Sequence, residues 1–415
     1  MKMKQAIAFL LLSMITTTIT ASRTVTVSVS NPMNIARADV PVIIKLAPYG
    51  EVRSALVTLN GQEVPCQLDD LDKDDTFDEL CFLANLGKKE KQQYTVTLMD
   101  EGEPRQYPAR VFAEMVLSNT KDKKLKKNQQ NNYIEAITAR GDAAYTYNIQ
   151  HHHGVDFESE LNGIRIYFDA RQTLDLYGKF NKQLELKETQ FYTDDEQKKR
   201  GYGDDVLWVG QTFGLGAFRG WDGQQPTLVE PVKTRTQRII SYGPLRTIVE
   251  VIDRGWQLPT ANGQKPTAIN MTLRYTQYAG HRDTDVDVLF NKDVSDYCFS
   301  TGIINVKGSE EFSNKKGLRA CWGTDYPSTD TVKWSRETVG LAVLVPQKNI
   351  VSEEPANKDN YVYVLKVNGC QMSYKVTYTS ANETFGYHSA KEWFDYLKAW
   401  CKEVEKPVVV NIKES

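Results

Sequence analysis

Histidine is scarce in this chain, five among 415 residues, and so is net charge: 51 basic residues against 53 acidic ones leave −2 at neutral pH. Without a basic excess there is no broad positive field to hold nucleic acid or an anionic lipid surface, so a small or neutral partner is the better expectation. Cysteine is sparse too. The six (Cys66, Cys81, Cys298, Cys321, Cys370 and Cys401) are scattered without a CxxC pair or any metal-like spacing, which argues against a zinc site. Cys66 and Cys81 are the nearest pair in sequence, but a chain this long buries enough surface not to need staples, and no pairing can be read. Beyond the first residues no apolar run is long enough to insert in a membrane, no internal repeat is visible, and "GQTFGLG" lacks the glycine order of a dinucleotide fold.

What is present begins with "MKMKQAIAFLLLSMITTTITASRT": two lysines, a short apolar core and a small-residue exit near Ala21. This pattern predicts a signal peptide over residues 1–21 and an exported, periplasmic or secreted protein. Residues 22–105 alternate in the β manner ("TVTVSVS", "VPVIIKL", "ALVTL", "QYTVTLM") and predict a small N-terminal β-sandwich. A lysine- and asparagine-rich loop at 118–132 follows. Residues 106–415 then read as a second, larger antiparallel β-sandwich, with strands in "GIRIYF", "TLDLYG", "LELKETQFY", "RTIVEVID", "INMTLRYTQY", "DTDVDVLF", "VGLAVLV", "YVYVLKV" and "SYKVTYT". One strong helix is predicted from Ser389 to about Glu405, opened by a Ser389/Glu392 capping box and stopped by Pro407, with Trp393, Leu397, Trp400 and Val404 on its core stripe. The fold expected is all-β with one C-terminal helix.

Three of the five histidines fall in "QHHHGVDFESELNGIRIYFDARQTLDLYGK", residues 150–179. Strand parity puts Ile164, Ile166 and Phe168 on one face and Arg165, Tyr167, Asp169 and Arg171 on the other; Leu174 and Leu176 likewise oppose Asp175, Tyr177 and Lys179. A row of cations, phenols and carboxylates suits a substrate groove, in which guanidinium pairs with a uronate carboxylate and a phenol or imidazole moves a proton. His151, His152, His153, Arg165, Tyr167, Tyr177 and Lys179 are therefore the catalytic candidates, with Glu158 and Glu160 placed to orient an imidazole. An ordinary solvated face is the bland alternative.

A glycine-rich segment at 191–223 adds Tyr192, Tyr202, Asp204, Asp205, Trp208, Arg219 and Trp221, aromatics and acids of the kind that grip sugars. "YAGHRDTDVDVLF" adds His281 and Arg282 at a turn, with Val286, Val288 and Phe290 facing inward and Asp283, Asp285 and Asp287 outward. Glu158, Arg171, Tyr192, Tyr202, Asp205, Arg219, Trp221, His281 and Arg282 are the substrate-binding candidates. In the N-terminal unit, Asp70, Asp72, Asp74 and Asp78 match the alternate-position spacing of a compact calcium loop, making them candidate ligands of a structural calcium. Cys81 in the twelfth position rules out an EF-hand. No other cofactor is expected.

The motifs "NPMNIARADVPVII", "PCQLDDLDKDDTFDEL", the histidine segment, "GYGDDVLWVGQTFGLG" and "YAGHRDTDVDV" together resemble an exported bacterial family, domain of unknown function 4861, over nearly the whole mature chain. That resemblance implies a galactose-mutarotase-like or polysaccharide-lyase-like sandwich and a role in breaking down uronate-containing polysaccharides in Bacteroidetes. Asp75 departs from the family's acidic loop, which has glycine there. The expected activity is elimination on a uronate of an acidic oligosaccharide, by a lyase or dehydratase. Arg165 or Arg171 would neutralise the carboxylate, a histidine would act as base, and Tyr167, Tyr177 or Tyr192 as acid, with Lys179 able to replace either partner. A glycoside hydrolase using two of Glu158, Glu160, Asp204 and Asp205, or a glycan-binding protein without catalysis, are the alternatives.

Overall fold

The computed structural model describes residues 22–118, 132–143, 146–258 and 267–414. The predicted signal peptide, and all but the ends of the lysine- and asparagine-rich stretch, lie outside the described residues. Alternating valines in Ser22–Ser30 place Val25, Val27 and Val29 in a core shared with Val42, Ile44, Leu80, Phe82 and Val96. Period-2 alternation buries one face of each strand, and two such faces close on each other as a small sandwich. Its sheets run Val409–Glu414, Ser22–Ser30, Lys91–Met99, Ser54–Leu59, Gln62–Val64 and, opposite, Arg37–Lys45, Glu79–Leu86, Cys66–Asp69. The last strand of the chain thus pairs with the first described one, Val27 opposite Ile412. The small unit is built from both ends of the chain, whereas the sequence pattern alone assigns everything after residue 105 to the large one.

The large unit opposes a nine-stranded antiparallel sheet, running from Ala136–Arg140 at one edge to Glu310–Ser313 at the other, to two five-stranded sheets. One core joins all three: Val249, Leu273, Val286 and Val376 of the broad sheet meet Phe157, Ile164 and Leu176 of one smaller sheet and Phe299, Ile303 and Tyr363 of the other. The expected helix forms at Ala390–Glu405, its stripe of Trp393, Leu397 and Trp400 seated on Leu318, Ala320 and Ala342. Ser389 Oγ accepts the Glu392 amide, but the Glu392 carboxylate returns to the amide of His388 and not to that of Ser389.

One strand expectation changes. "LELKETQFY" is not a strand: Leu186–Thr189 is a turn of helix, because the buried Glu158 carboxylate accepts the amides of Glu185 and Leu186 and so caps that turn. The thiols of Cys66, Cys81, Cys298, Cys321, Cys370 and Cys401 are all free. Small-unit and large-unit contacts combine an apolar cluster, Leu83 with Val111, Leu245 and Ala279, with polar pairs. Gln67 accepts the amides of Leu245 and Arg246, Arg246 pairs with Asp69 at 2.7 Å, and Arg110 bridges Asp39 and Glu160.

Candidate functional site

The five-stranded sheet that carries the histidine segment runs Asp204–Asp205, Leu174–Gly178, Gly163–Tyr167, Gly154–Ser159, Val111–Glu114. Its inner face supplies Ile164, Ile166, Leu174 and Leu176 to the core, as parity predicts. The outer face was expected to be a half-open polar row, and it is buried instead: every residue of Gly154–Ser159, Gly163–Tyr167 and Leu174–Gly178 is shielded from solvent. The cover is the 184–205 segment and the histidine turn. Register then aligns four charges across the sheet, Glu114 opposite Asp156, Asp156 opposite Arg165, and Arg165 opposite Asp175. An ion taken out of water must find a partner, so this row is where the chemistry concentrates.

At one end of the row, Arg165 donates to Asp175 at 2.7 Å, to Asp205 at 3.1 Å and to the phenols of Tyr167 and Tyr192 at 3.0 and 3.1 Å. Phe191 lies against its guanidinium, 4.1 Å from ring centroid to the central carbon. Burial opposes this charge, but Asp175, Tyr167 and Asp205 outweigh it and hold Arg165 firmly protonated. Burial, followed by the Asp175 charge, raises the Asp205 carboxyl well above the usual range. Arg171 is half-buried, clamped by Asp169 and the Gly210 carbonyl and lying over the rings of Tyr147 and Tyr167.

At the other end, His152 is fully buried, with Nε2 3.5 Å from Glu114 Oε1 and 3.4 Å from Asp156 Oδ2. Neither nitrogen of His152, and neither carboxylate oxygen of Glu114 or Asp156, has a hydrogen-bond partner. Burial pushes the His152 imidazole down to about 3 and the Glu114 carboxyl up to about 8, and it raises Asp156 further with help from the charges of Glu114 and Glu158. Tyr133 lies close enough to lower Glu114 somewhat without making a hydrogen bond of ordinary geometry. A cavity of about 360 Å³ has Glu114 in its wall, with Tyr133, Lys187 and Tyr242 at its sides.

The histidine turn depends on Gly154. A Cβ there would stand 1.7 Å from the Ile166 carbonyl oxygen, so only glycine lets the two strands approach. His153, at φ +72°, stacks on Tyr147 with ring centroids 3.9 Å apart and bonds its carbonyl through Nδ1. His151 is half-buried, edge-on to His152 and to Tyr192, and its Nε2 has no partner. Burial and the neighbouring His152 keep it neutral down to about pH 4.

The row therefore keeps His151, His152, His153, Arg165, Tyr167, Tyr192 and Asp205 together and releases others. Lys179 is fully buried and donates to Glu158, Ser159 O and Gln183 O. Tyr177 is buried with its hydroxyl on the Gly203 carbonyl and Thr193. Glu158 is spent on Lys179 and on capping, and Glu160 on Arg110 and the Gly280 amide. Asp204 pairs with Lys198. Arg219 braces the Gln211 and Thr212 carbonyls, Trp221 packs on the core, and Tyr202 lies under Arg200.

His281 and Arg282 sit elsewhere, in a cleft of about 580 Å³ between the small unit, the broad sheet and the C-terminal helix. His281 bonds Asp283 and the Asp39 carbonyl, and Arg282 bonds Glu383. Of the outward aspartates of that strand, Asp283 and Asp285 line this cleft and both pair with Lys375, Asp283 being buried, while Asp287 bonds Ser373. In the acidic loop, Asp70, Asp72 and Asp78 bring one oxygen each within 4.8 Å, while Asp74 stands outside that group and accepts the Thr76 amide. Asp75 adopts φ +69°, the backbone glycine favours.

Sequence reasoning missed Glu114, Asp156, Tyr133 and Lys187. A signal existed for two of them. Glu114 interrupts the otherwise apolar "VFAEMV", and parity alone puts Asp156 on the same face as Glu158.

A family model for Domain of unknown function (DUF4861) matches residues 29–410. The chain belongs to that family. A search among curated proteins finds no match. Among solved structures, similarity is found to a protein in the glycosyl hydrolase family 38 from Enterococcus faecalis, with TM-score 0.48 and 9% identity over 94% of this chain and 47% of that one. An alpha-mannosidase from Enterococcus faecalis V583 gives TM-score 0.47 and 9% identity over 94% and 46%. The DUF4861 chain spans about half the length of these proteins.

Proposed function

We propose that this DUF4861 protein is an exported carbohydrate-active enzyme that performs elimination on a uronate residue of an acidic oligosaccharide, as a lyase or dehydratase. One observation carries the reading: the His151 ring, whose buried Nε2 has no partner, stands edge-on to the Tyr192 ring with centroids 6.0 Å apart, and Arg165 hydrogen-bonds the Tyr192 phenol. Elimination across C4 and C5 needs a base for the C5 proton and an acid for the group leaving C4. His151 is the base in this reading and Tyr192 the acid, with Arg165 holding the phenol and steadying negative charge as it develops. Tyr147 and Arg171, both part-exposed beside them, supply flat and cationic surface for the sugar. Hydrolysis by paired carboxylates is the weaker reading, because Glu158, Glu160 and Asp204 are already committed to Lys179, Arg110 and Lys198.

The test is incubation of the purified chain with a panel of uronate-containing oligosaccharides, followed by ultraviolet absorbance for new unsaturation and mass spectrometry for water loss or chain cleavage. His151→Ala and Tyr192→Phe are each expected to lower kcat by about 100-fold or more, since general acid and base groups contribute on that order. New reducing ends without unsaturation would replace elimination by hydrolysis. Full activity in both variants would remove His151 and Tyr192 from the mechanism.

A further inference from the structure

We propose that Glu114, His152 and Asp156 form a binding site for one first-row divalent cation of the zinc or manganese class. Three observations converge on it. Each of the three side chains is at most 1% exposed, and together they present six nitrogen and oxygen atoms without a hydrogen-bond partner. Buried polar atoms are nearly always satisfied, so six orphans in one place point to a ligand that satisfies them jointly. One donor atom from each residue falls within 4.8 Å of the others, with His152 Nε2 3.4 and 3.5 Å from its two carboxylate oxygens.

Those two spacings also favour a geometry. A cation bound at about 2.0–2.2 Å to imidazole nitrogen and carboxylate oxygen in a tetrahedral arrangement separates its ligands by about 3.3–3.6 Å, whereas octahedral neighbours come closer, about 3.0 Å. Mixed nitrogen and oxygen donors suit zinc and its first-row neighbours better than calcium, which takes six or more oxygens. Two ionised carboxylates balance the +2 charge. Three protein ligands leave a fourth position, the arrangement of catalytic rather than structural zinc. Glu114 also lines the cavity that Tyr133, Lys187 and Tyr242 border.

A role for the cation rests on the elimination reading: a uronate carboxylate needs a positive partner, and Arg165 is already paired with Asp175 and Asp205. Cation binding itself does not depend on that reading.

The experiment measures metal and activity separately on the full chain. Protein stripped with a chelator is titrated with zinc and with manganese, and bound metal is counted by elemental mass spectrometry after dialysis. About one equivalent of at least one cation is expected in the wild type, with binding weakened more than 10-fold in Glu114→Gln and in Asp156→Asn. Each variant exchanges a carboxyl for an amide of the same shape, so both should retain a cooperative melt. Asp70→Asn, in the acidic loop, should leave this binding unchanged. Failure of the wild type to take up either cation, or equal uptake by the folded Glu114→Gln and Asp156→Asn variants, would overturn the site. Tight binding with no elimination activity on any uronate substrate would keep the site and sink the elimination reading. Elimination at full rate in metal-free protein would keep that reading and confine the cation to a structural role.

Discussion

Replacing Lys179 by methionine should cost the large unit about 3–5 kcal/mol at pH 7 without acting on catalysis directly. Lys179 and Glu158 are both fully buried, and Lys179 Nζ donates to Glu158 Oε2 at 2.5 Å, Ser159 O at 2.8 Å and Gln183 O at 2.5 Å. Methionine keeps the stem and removes the ammonium. The stranded carboxylate keeps its bonds from the Glu185 and Leu186 amides but loses its counter-charge. Protonation then limits the ionic part of the loss: a carboxyl with an ordinary value of 4.5 can be neutralised at pH 7 for about 3 kcal/mol. Two orphaned carbonyls add about 1 kcal/mol each, which sets the range.

The sign with pH follows. Burial already raises the Glu158 carboxyl even with Lys179 beside it, and removal of the lysine raises it further. A raised folded value means that its contribution is fully present below about pH 4.5 and is lost as pH rises through the folded value. The deficit of Lys179→Met should therefore be small near pH 5 and grow toward pH 8. The assay is urea unfolding followed by tryptophan fluorescence at several pH values, with the transition of the large unit fitted by itself. Adding Glu158→Gln to Lys179→Met should recover about 2 kcal/mol, because the amide oxygen still accepts and no charge is stranded. A loss under about 1 kcal/mol, or a deficit independent of pH, would refute the buried-pair reasoning. Loss of turnover at undiminished stability would return Lys179 to the catalytic row.

Two further outcomes are expected. At His281 burial opposes protonation, but Asp283 and the Asp39 carbonyl win and raise the imidazole above its ordinary 6.5, so its contribution is present below that value and lost as pH rises through the raised one. The melting temperature of the wild type should fall more steeply than that of His281→Gln between about pH 6 and 8, and parallel curves would dismiss the residue as a link between the two units. Gly154→Ala drives a Cβ to 1.7 Å from the Ile166 carbonyl and should destabilise by about 3 kcal/mol or more, read as melting temperature and soluble yield; wild-type stability would mean that the histidine turn tolerates a side chain.

How much was legible in the sequence differs between fold and site. The alternation of Ser22–Ser30 and the rows Ile164/Ile166 and Val286/Val288 identify core faces directly, because a strand's two faces take alternate residues. The helical stripe Trp393, Leu397, Trp400 was equally plain. The polar face of Gly163–Tyr167 was found as a face but misjudged in environment. Periodicity says that Arg165 and Tyr167 oppose the core, not whether Phe191 and Tyr192 later fold over them. The turn of helix at Leu186–Thr189 was hidden for the same reason, since its cap is a carboxylate 27 residues upstream of its first amide.

Local sequence by itself determined the β character, the C-terminal helix and the concentration of histidine, arginine and tyrosine in one segment, since each depends on neighbours a few residues apart. Tertiary structure alone decided that the final strand closes the first sheet, that Lys179 bonds Glu158 and Tyr177 the Gly203 carbonyl, and that Glu114 meets His152 and Asp156. The physical reason is that charge and hydrogen bonding are satisfied in space. Whether a buried carboxylate is spent on a lysine, on an amide or held ready for a ligand depends on what the chain brings against it from far along its length.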